Sequence, residues 1–189
     1  KMYNNLIFIT LGTGVGGGII IDGKIYEGLG GAGAELGHMA IEMNGEPCTC
    51  GRNGCWESYA SATALIKQTK DAMNKNKNSV MWEIAGGKLE NVNGRTAFDG
   101  MRKGDKTAKE VVDAYEKYVA IGITNIANIF QPEKICIGGG VSNEKETLIK
   151  PISEFVNREI YVTMGKPCEI LPAELGNDAG IIGAKYLFN

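Results

Sequence analysis

The chain has 189 residues, 43% of them hydrophobic, which is the size and composition of one globular domain. Its 20 basic and 22 acidic residues give a formal net charge of −2, which argues against a surface for nucleic acid or anionic membranes and favours small-molecule ligands. Because the sequence shows neither an apolar run of about 20 residues nor a signal-peptide pattern, we expect a cytoplasmic protein with reduced cysteines.

The start of the chain predicts a β-meander. Residues 5–11 form an apolar, β-branched and aromatic run that ends in glycine, which is typical of a strand buried on both faces. Residues 16–21 and 24–27 predict two further strands. Asp22 and Gly23 between them are a signal for a type I′ hairpin turn.

The rest of the chain predicts an alternation of helices and strands. Apolar spacing predicts helices over residues 56–73, 79–85, 96–103, 105–130, 144–160 and 178–187, and strands over residues 134–137 and 168–171. Asp105 is the expected N-cap of the longest helix. A meander followed by this alternation predicts an α/β domain with a mixed sheet flanked by helices.

Two glycine-rich turns are candidates for ligand contact. Leu-Gly-Thr-Gly-Val-Gly-Gly-Gly at 11–18 joins two strands, and its backbone N–H groups and the Thr13 hydroxyl can converge on phosphate oxygens. It is not a P-loop, and a tight hairpin is the alternative. Ile-Cys-Ile-Gly-Gly-Gly at 135–140 ends a strand, where ligands gather in open α/β sheets, although a plain strand-to-helix turn has the same pattern.

One segment has the composition of a zinc site. The single histidine, His38, precedes three clustered cysteines, Cys48, Cys50 and Cys55, and Cys₃His is a standard set for structural zinc. Free thiols are one alternative and disulfides another, but three local cysteines leave one unpaired. Four protein ligands would leave no open position to activate water, so the predicted zinc is structural.

Two carboxylates flank this segment, and together with the histidine they suit a sugar. Zinc on one ring nitrogen of His38 would leave the other N–H free to donate. Glu35 and Glu57 can accept hydrogen bonds from vicinal hydroxyls beside it, although ordinary surface carboxylates are the alternative.

Taken in order, these motifs strongly resemble the ROK family of repressors, open reading frames and sugar kinases, and most closely its bacterial glucokinase-like members. They are the glycine-rich stretch at 11–18, Gly-Ala-Glu-Leu-Gly-His at 33–38, Cys-x-Cys-Gly-x-x-Gly-Cys-x-Glu at 48–57 and Ile-Gly-Gly-Gly-Val at 137–141. The resemblance implies an actin-like ATPase (ribonuclease H-like) fold in two lobes, with residues 1–189 as the C-terminal lobe and residues 38–57 as its zinc-binding loop. It also implies ATP-dependent phosphorylation of a hexose.

The resemblance also assigns roles to the candidate residues. It implies sugar binding by Glu35, His38 and Glu57, zinc binding by His38, Cys48, Cys50 and Cys55, phosphate binding by Gly12, Thr13 and Gly14, and adenosine contact by Gly138, Gly139 and Gly140. The family's N-terminal Asp-x-Gly-Gly-Thr motif is absent from this sequence, and so is the Asn-Asp pair of that lobe whose aspartate acts as general base on the sugar hydroxyl. The general-base aspartate is therefore expected in an N-terminal lobe outside this chain, and no catalytic residue is expected within it.

The resemblance leaves the substrate and the class of the whole protein open. Glucose is the first choice of hexose, ahead of N-acetylmannosamine, N-acetylglucosamine, fructose and allose. ATP with Mg²⁺ and zinc are the implied cofactors, and a homo-oligomer is the expected assembly. The alternative is a transcriptional repressor of the same family, which would bind nucleic acid through an added N-terminal domain and would not use ATP.

Overall fold

The computed structural model describes residues 3–161 and 168–174. Its described strands are β1 (Leu6–Leu11), β2 (Val15–Ile21), β3 (Lys24–Ile25), β4 (Lys134–Gly138) and β5 (Glu169–Pro172). They form one mixed sheet in the order β3-β2-β1-β4-β5, in which β1 runs antiparallel to β2 and parallel to β4. The predicted meander and mixed α/β sheet are confirmed. Asp22 and Gly23 both have positive φ, as a type I′ turn requires.

The described helices follow in chain order. They are α1 (Glu57–Ala60), α2 (Ala62–Lys75), α3 (Met81–Ile84), α4 (Thr96–Arg102), α5 (Lys106–Phe130) and α6 (Glu146–Glu159). Asp105 caps α5 as predicted, since its side chain accepts a hydrogen bond from the Ala108 N–H at 2.8 Å. None of these helices is long and apolar enough to cross a membrane. The helix predicted over 178–187 lies outside the described residues.

The single helix predicted over 56–73 is wrong, because the chain breaks it into α1 and α2 at Ser61. Ser61 has an extended backbone (φ −74°, ψ 162°), and its hydroxyl accepts from the Ala64 N–H at 3.0 Å. Serine competes for backbone hydrogen bonds and so favours a helix start over a helix interior. The apolar spacing continues across the break, which is why periodicity alone hides it.

The core lies on one face of the sheet. Ile7, Ile9 and Leu11 of β1 are at most 1% exposed and join one apolar cluster with residues of α5. The alternate residues of β1 are half-buried, so the prediction of a strand buried on both faces is correct for one face only. Helix α5 is central to the helical layer, since it packs against α1, α2, α4 and α6.

The sheet topology brings the two glycine-rich turns together. Because β1 and β4 are parallel neighbours with Thr10 opposite Gly138, both strands end at the same edge of the sheet. The turn at 12–14 begins there, and so does the 3₁₀ segment Gly140–Glu144. This is the edge at which ligands bind in open α/β sheets.

Candidate functional site

The first glycine-rich turn is a tight connection between β1 and β2. The Gly12 N–H donates to the Gly14 carbonyl at 3.0 Å, and Thr13 is exposed at the tip. A Cβ atom built on Gly12 would meet nothing within 4 Å, so the space beside this backbone is open to a ligand. The Gly12 backbone and the exposed Thr13 are thus the accessible part of this turn.

Neighbouring protein atoms account for other glycines in this stretch. A Cβ atom on Gly14 would lie 2.2 Å from Glu57 Oε2, and one on Gly17 would lie 2.5 Å from the Ala34 carbonyl oxygen. These positions are glycine because another part of the chain occupies the space. Of Gly12, Gly14 and Gly17, only Gly12 therefore has the bare backbone expected of a ligand contact.

The triglycine turn sits directly against the end of β1. Gly139 has φ +88°, and a Cβ atom there would lie 2.4 Å from the Leu11 carbonyl oxygen. This position therefore needs glycine for both conformation and space. A Cβ atom on Gly140 would meet nothing within 4 Å, so a ligand can reach the chain at Gly140.

His38, Cys48, Cys50 and Cys55 converge as the sequence predicts. Their ligand atoms all lie within 4.8 Å of one another, and the His38 Nδ1–Cys48 Sγ and Cys50 Sγ–Cys55 Sγ distances are both 3.6 Å. Ligands of one tetrahedral zinc lie roughly 3.3–3.8 Å apart. All five cysteines are free thiols. The donor set and its spacing therefore fit zinc.

The electrostatics of this cluster favour a bound cation. Burial opposes ionisation of Cys48, but hydrogen bonds from Cys50, Cys55 and His38 outweigh it and lower its pKa to about 6. Burial, followed by the neighbouring thiols, raises the pKa of Cys55 to about 12. Without a cation one thiolate suppresses the ionisation of another, whereas a divalent metal stabilises several together.

The His38 ring faces the cysteine cluster on one side and a carboxylate on the other. Its Nδ1 points toward Cys48, and its Nε2 lies 3.9 Å from Glu35 Oε2. The Glu35 side chain is 72% exposed and therefore accessible to a ligand. The two ring nitrogens therefore face different groups, Nδ1 the cysteine cluster and Nε2 a carboxylate.

Glu57 joins this group to the first glycine-rich turn. Its Oε2 accepts a hydrogen bond from the Val15 N–H at 2.9 Å. On the other side of Val15, a Cβ atom on Gly37 would lie 2.3 Å from the Val15 carbonyl oxygen, which leaves the residue before His38 no room for a side chain. Val15 therefore contacts both flanks of the predicted site, a link that sequence reasoning missed.

Trp56 anchors the segment that carries these residues, and sequence reasoning missed this role. Its side chain is fully buried, and the indole Nε1–H donates to the Tyr118 carbonyl at 2.8 Å. Its backbone N–H donates to the Met39 carbonyl, also at 2.8 Å. The indole also fills the space where a Cβ atom on Gly122 would be, 2.1 Å from Cε2. A glycine inside the long helix α5 was the available sequence signal, because mid-helix glycine costs stability unless packing requires it.

A cavity of about 300 Å³ opens between the Thr13 tip and the cysteine loop. Thr49, Glu57, Thr63 and Lys67 are among the residues that line it. Cavities of about 500 Å³ along α2 and α5 and about 560 Å³ along α5 and α6 are larger. The residues described as lining those two include none of the predicted site residues.

Comparisons with known proteins agree on one family. The model of the ROK family matches residues 1–189. A glucokinase from Halalkalibacterium halodurans is 39% identical over 97% of this chain and 56% of its own length. A xylose repressor from Bacillus spizizenii is 32% identical over 97% of this chain and 44% of its own length. The chain thus spans about half the length of these curated relatives.

A solved structure gives the same result for the fold. The crystal structure of a ROK family glucokinase from Streptomyces griseus, in complex with glucose and AMPPNP, superimposes with a TM-score of 0.90 at 34% identity. The match covers 99% of this chain and 61% of that protein. The mixed sheet with flanking helices is therefore the arrangement found in that kinase.

Proposed function

Because the chain belongs to the ROK family, we propose that it is the C-terminal lobe of an ATP-dependent hexose kinase, with glucose as the first substrate to test. Support comes from the 39% identity to a glucokinase and from the TM-score of 0.90 to a glucokinase that binds glucose and AMPPNP. In this proposal the fold is one lobe of an actin-like ATPase. An N-terminal lobe outside this chain supplies the general-base aspartate.

One observation carries the proposal: Val15 lies between the two sets of predicted ligand-binding residues. Its N–H is bound by Glu57, a predicted sugar ligand, and it follows Gly12, Thr13 and Gly14, the predicted phosphate loop. Phosphoryl transfer depends on holding donor and acceptor at a fixed separation. A shared contact at Val15 gives the two sites a common reference point.

On the nucleotide side, the proposed contacts are backbone groups. The N–H groups around Thr13 and the Thr13 hydroxyl bind phosphate oxygens, and the bare backbone at Gly140 lies along the adenosine. Mg²⁺ bound with ATP would neutralise charge on the transferring phosphoryl group. The proposed phosphate contacts are uncharged backbone and hydroxyl groups, so their contribution is orientation.

On the sugar side, the proposed contacts are one donor and two acceptors. His38 donates through Nε2–H, and Glu35 and Glu57 accept from vicinal hydroxyls. Zinc held by His38 and the three clustered cysteines would fix the Nδ1 side of the ring and the cysteine loop. Its proposed role is structural, since all four positions are filled by protein.

A second candidate is the sugar-sensing lobe of a repressor, favoured by the 32% identity to a xylose repressor. A repressor that does not use ATP has no need for an exposed Thr13 beside open backbone at Gly12, which favours the kinase.

A cytoplasmic location and a homo-oligomeric assembly belong to the leading proposal. The five free thiols support the first of these.

The test is ADP release by the complete protein with ATP, Mg²⁺ and a panel of hexoses and N-acetylhexosamines. We expect turnover with one sugar, glucose first. Saturable sugar binding without turnover on any member of the panel would overturn the kinase proposal and support the repressor.

A further inference from the structure

We propose that Thr63 is a positioning residue for the nucleotide, which acts by holding the tip of the predicted phosphate loop. Its hydroxyl donates a hydrogen bond to the Thr13 carbonyl at 2.8 Å, across 50 residues of sequence. This inference rests on the proposed function, since it assumes that Thr13 and its neighbours bind phosphate. Thr63 carries no role in the predictions from the sequence.

The break between α1 and α2 brings Thr63 to the loop. Ser61 caps α2, and the first two residues of that helix then face the turn. The Ala62 N–H donates to the Gly12 carbonyl at 2.8 Å, and the Thr63 hydroxyl holds the next carbonyl along the chain, that of Thr13. One unbroken helix over these residues would not present both donors in this way.

These two bonds fix the direction of the loop N–H groups. A trans peptide is planar, and its carbonyl and N–H point in opposite directions. Because the Gly12 carbonyl points to α2, the N–H of Thr13 points away from it. The Thr13 carbonyl likewise directs the N–H of Gly14 away from α2. Two consecutive donors at the exposed Thr13 tip thus both point away from α2, an arrangement that suits a phosphate.

Of these two hydrogen bonds, only the one from Thr63 can be removed by changing a side chain. The Ala62 bond is backbone to backbone and survives any side-chain change there, whereas the Thr63 bond needs a hydroxyl. Thr63 is exposed and lines the 300 Å³ cavity together with Thr13. Replacing it with isosteric valine therefore removes a donor without opening a hole in the core.

The experiment compares nucleotide and sugar constants in the complete kinase. With Thr63→Val we expect the KM for ATP to rise roughly three- to tenfold, the range for one lost hydrogen bond, while the sugar KM stays within about twofold. Thr63→Ser keeps the hydroxyl and should restore the wild-type value. Thr63→Ala serves as a second deletion of the hydroxyl if the valine variant does not fold.

Thr107→Val is the matched control. Thr107 is also the second residue of a capped helix, α5, and its hydroxyl accepts from Asn76 Nδ2 at 2.7 Å, away from the loop. The Thr107→Val variant should lose about as much stability as Thr63→Val and leave the KM for ATP unchanged. An unchanged KM in Thr63→Val, or equal increases in the serine and control variants, would overturn the positioning role.

Direct binding of AMPPNP separates this inference from the proposed function. If the wild-type protein turns over no sugar, the kinase proposal fails, and calorimetry on the same variants still decides the role of Thr63. Roughly three- to tenfold weaker AMPPNP binding by Thr63→Val alone would support it. Equal binding by all variants, or no binding by the wild-type protein, would overturn it.

Discussion

The two predicted halves of the site are built in different ways. The nucleotide turns at 12–14 and 138–140 close the ends of paired strands, so the ladders of the sheet hold them. The cysteine loop instead has two isolated bridges, Ala40↔Cys55 and Pro47↔Asn53, a few local backbone hydrogen bonds, and four side chains that meet at one point. One half is therefore held by the strand ladders of the sheet, and the other by short local contacts together with the four side chains proposed to bind zinc.

The largest expected effect is the loss of the proposed zinc. Cys50→Ser should release zinc and unfold the loop, because structural zinc supplies on the order of 10 kcal/mol of local folding energy. Sugar affinity should fall at least about tenfold, with a smaller change in nucleotide affinity. Metal analysis and calorimetry with each ligand measure these effects. Cys136→Ser, in β4 and outside the cluster, is the control that should keep zinc. Unchanged sugar affinity in a zinc-free protein would contradict the claim that the sugar half of the site depends on the metal.

The next effect concerns the anchor of the cysteine loop. Trp56→Ala should lower the free energy of unfolding by about 3–5 kcal/mol, since it empties a fully buried site and removes the indole hydrogen bond to the Tyr118 carbonyl. Sugar binding should weaken with it, because Glu57 follows directly. The chain's other tryptophan, Trp82, is only partly buried and serves as the control. Denaturant unfolding should show a smaller loss for Trp82→Ala, with normal sugar affinity.

A third test addresses α5, which supports both halves. Burial, and then the charge of Asp113, raises the pKa of Glu116 to about 8, well above that of the unfolded chain. The folded state therefore binds the proton more tightly than the unfolded chain. The contribution of this proton to the free energy of unfolding is fully present below about pH 4.5 and is lost as the pH rises through 8. Glu116→Gln should flatten the fall in stability between pH 5 and 8, by on the order of 3 kcal/mol. Equal slopes in both proteins would contradict this assignment.

The smallest effects separate the two sugar carboxylates. Glu57→Ala should raise the KM for both sugar and ATP by roughly tenfold, because it also removes the acceptor of the Val15 N–H beside the phosphate loop. Glu35→Ala should raise the sugar KM by a few-fold and leave the KM for ATP unchanged, since the neighbour of the Glu35 carboxylate is His38 and not the phosphate loop. Steady-state kinetics with each substrate varied in turn measures both. Identical profiles for the two variants would show that Val15 does not link the sites.

The sequence by itself determined the elements and the local clusters. Runs of apolar and β-branched residues located the strands, the spacing of His38 and three cysteines identified four candidate metal ligands, and Asp105 marked the start of α5. Each of these signals is encoded within a few residues or a short loop. Local geometry and side-chain chemistry are enough to produce them.

Tertiary structure decided how those parts act together. The Glu57 bond to Val15 joins residues 42 apart, and the Thr63 bond to Thr13 joins residues 50 apart. Gly14 and Gly122 are glycine because distant side chains, those of Glu57 and Trp56, fill the adjacent space. No periodic pattern records such contacts, since they depend on which surfaces the folded chain brings into van der Waals and hydrogen-bond distance.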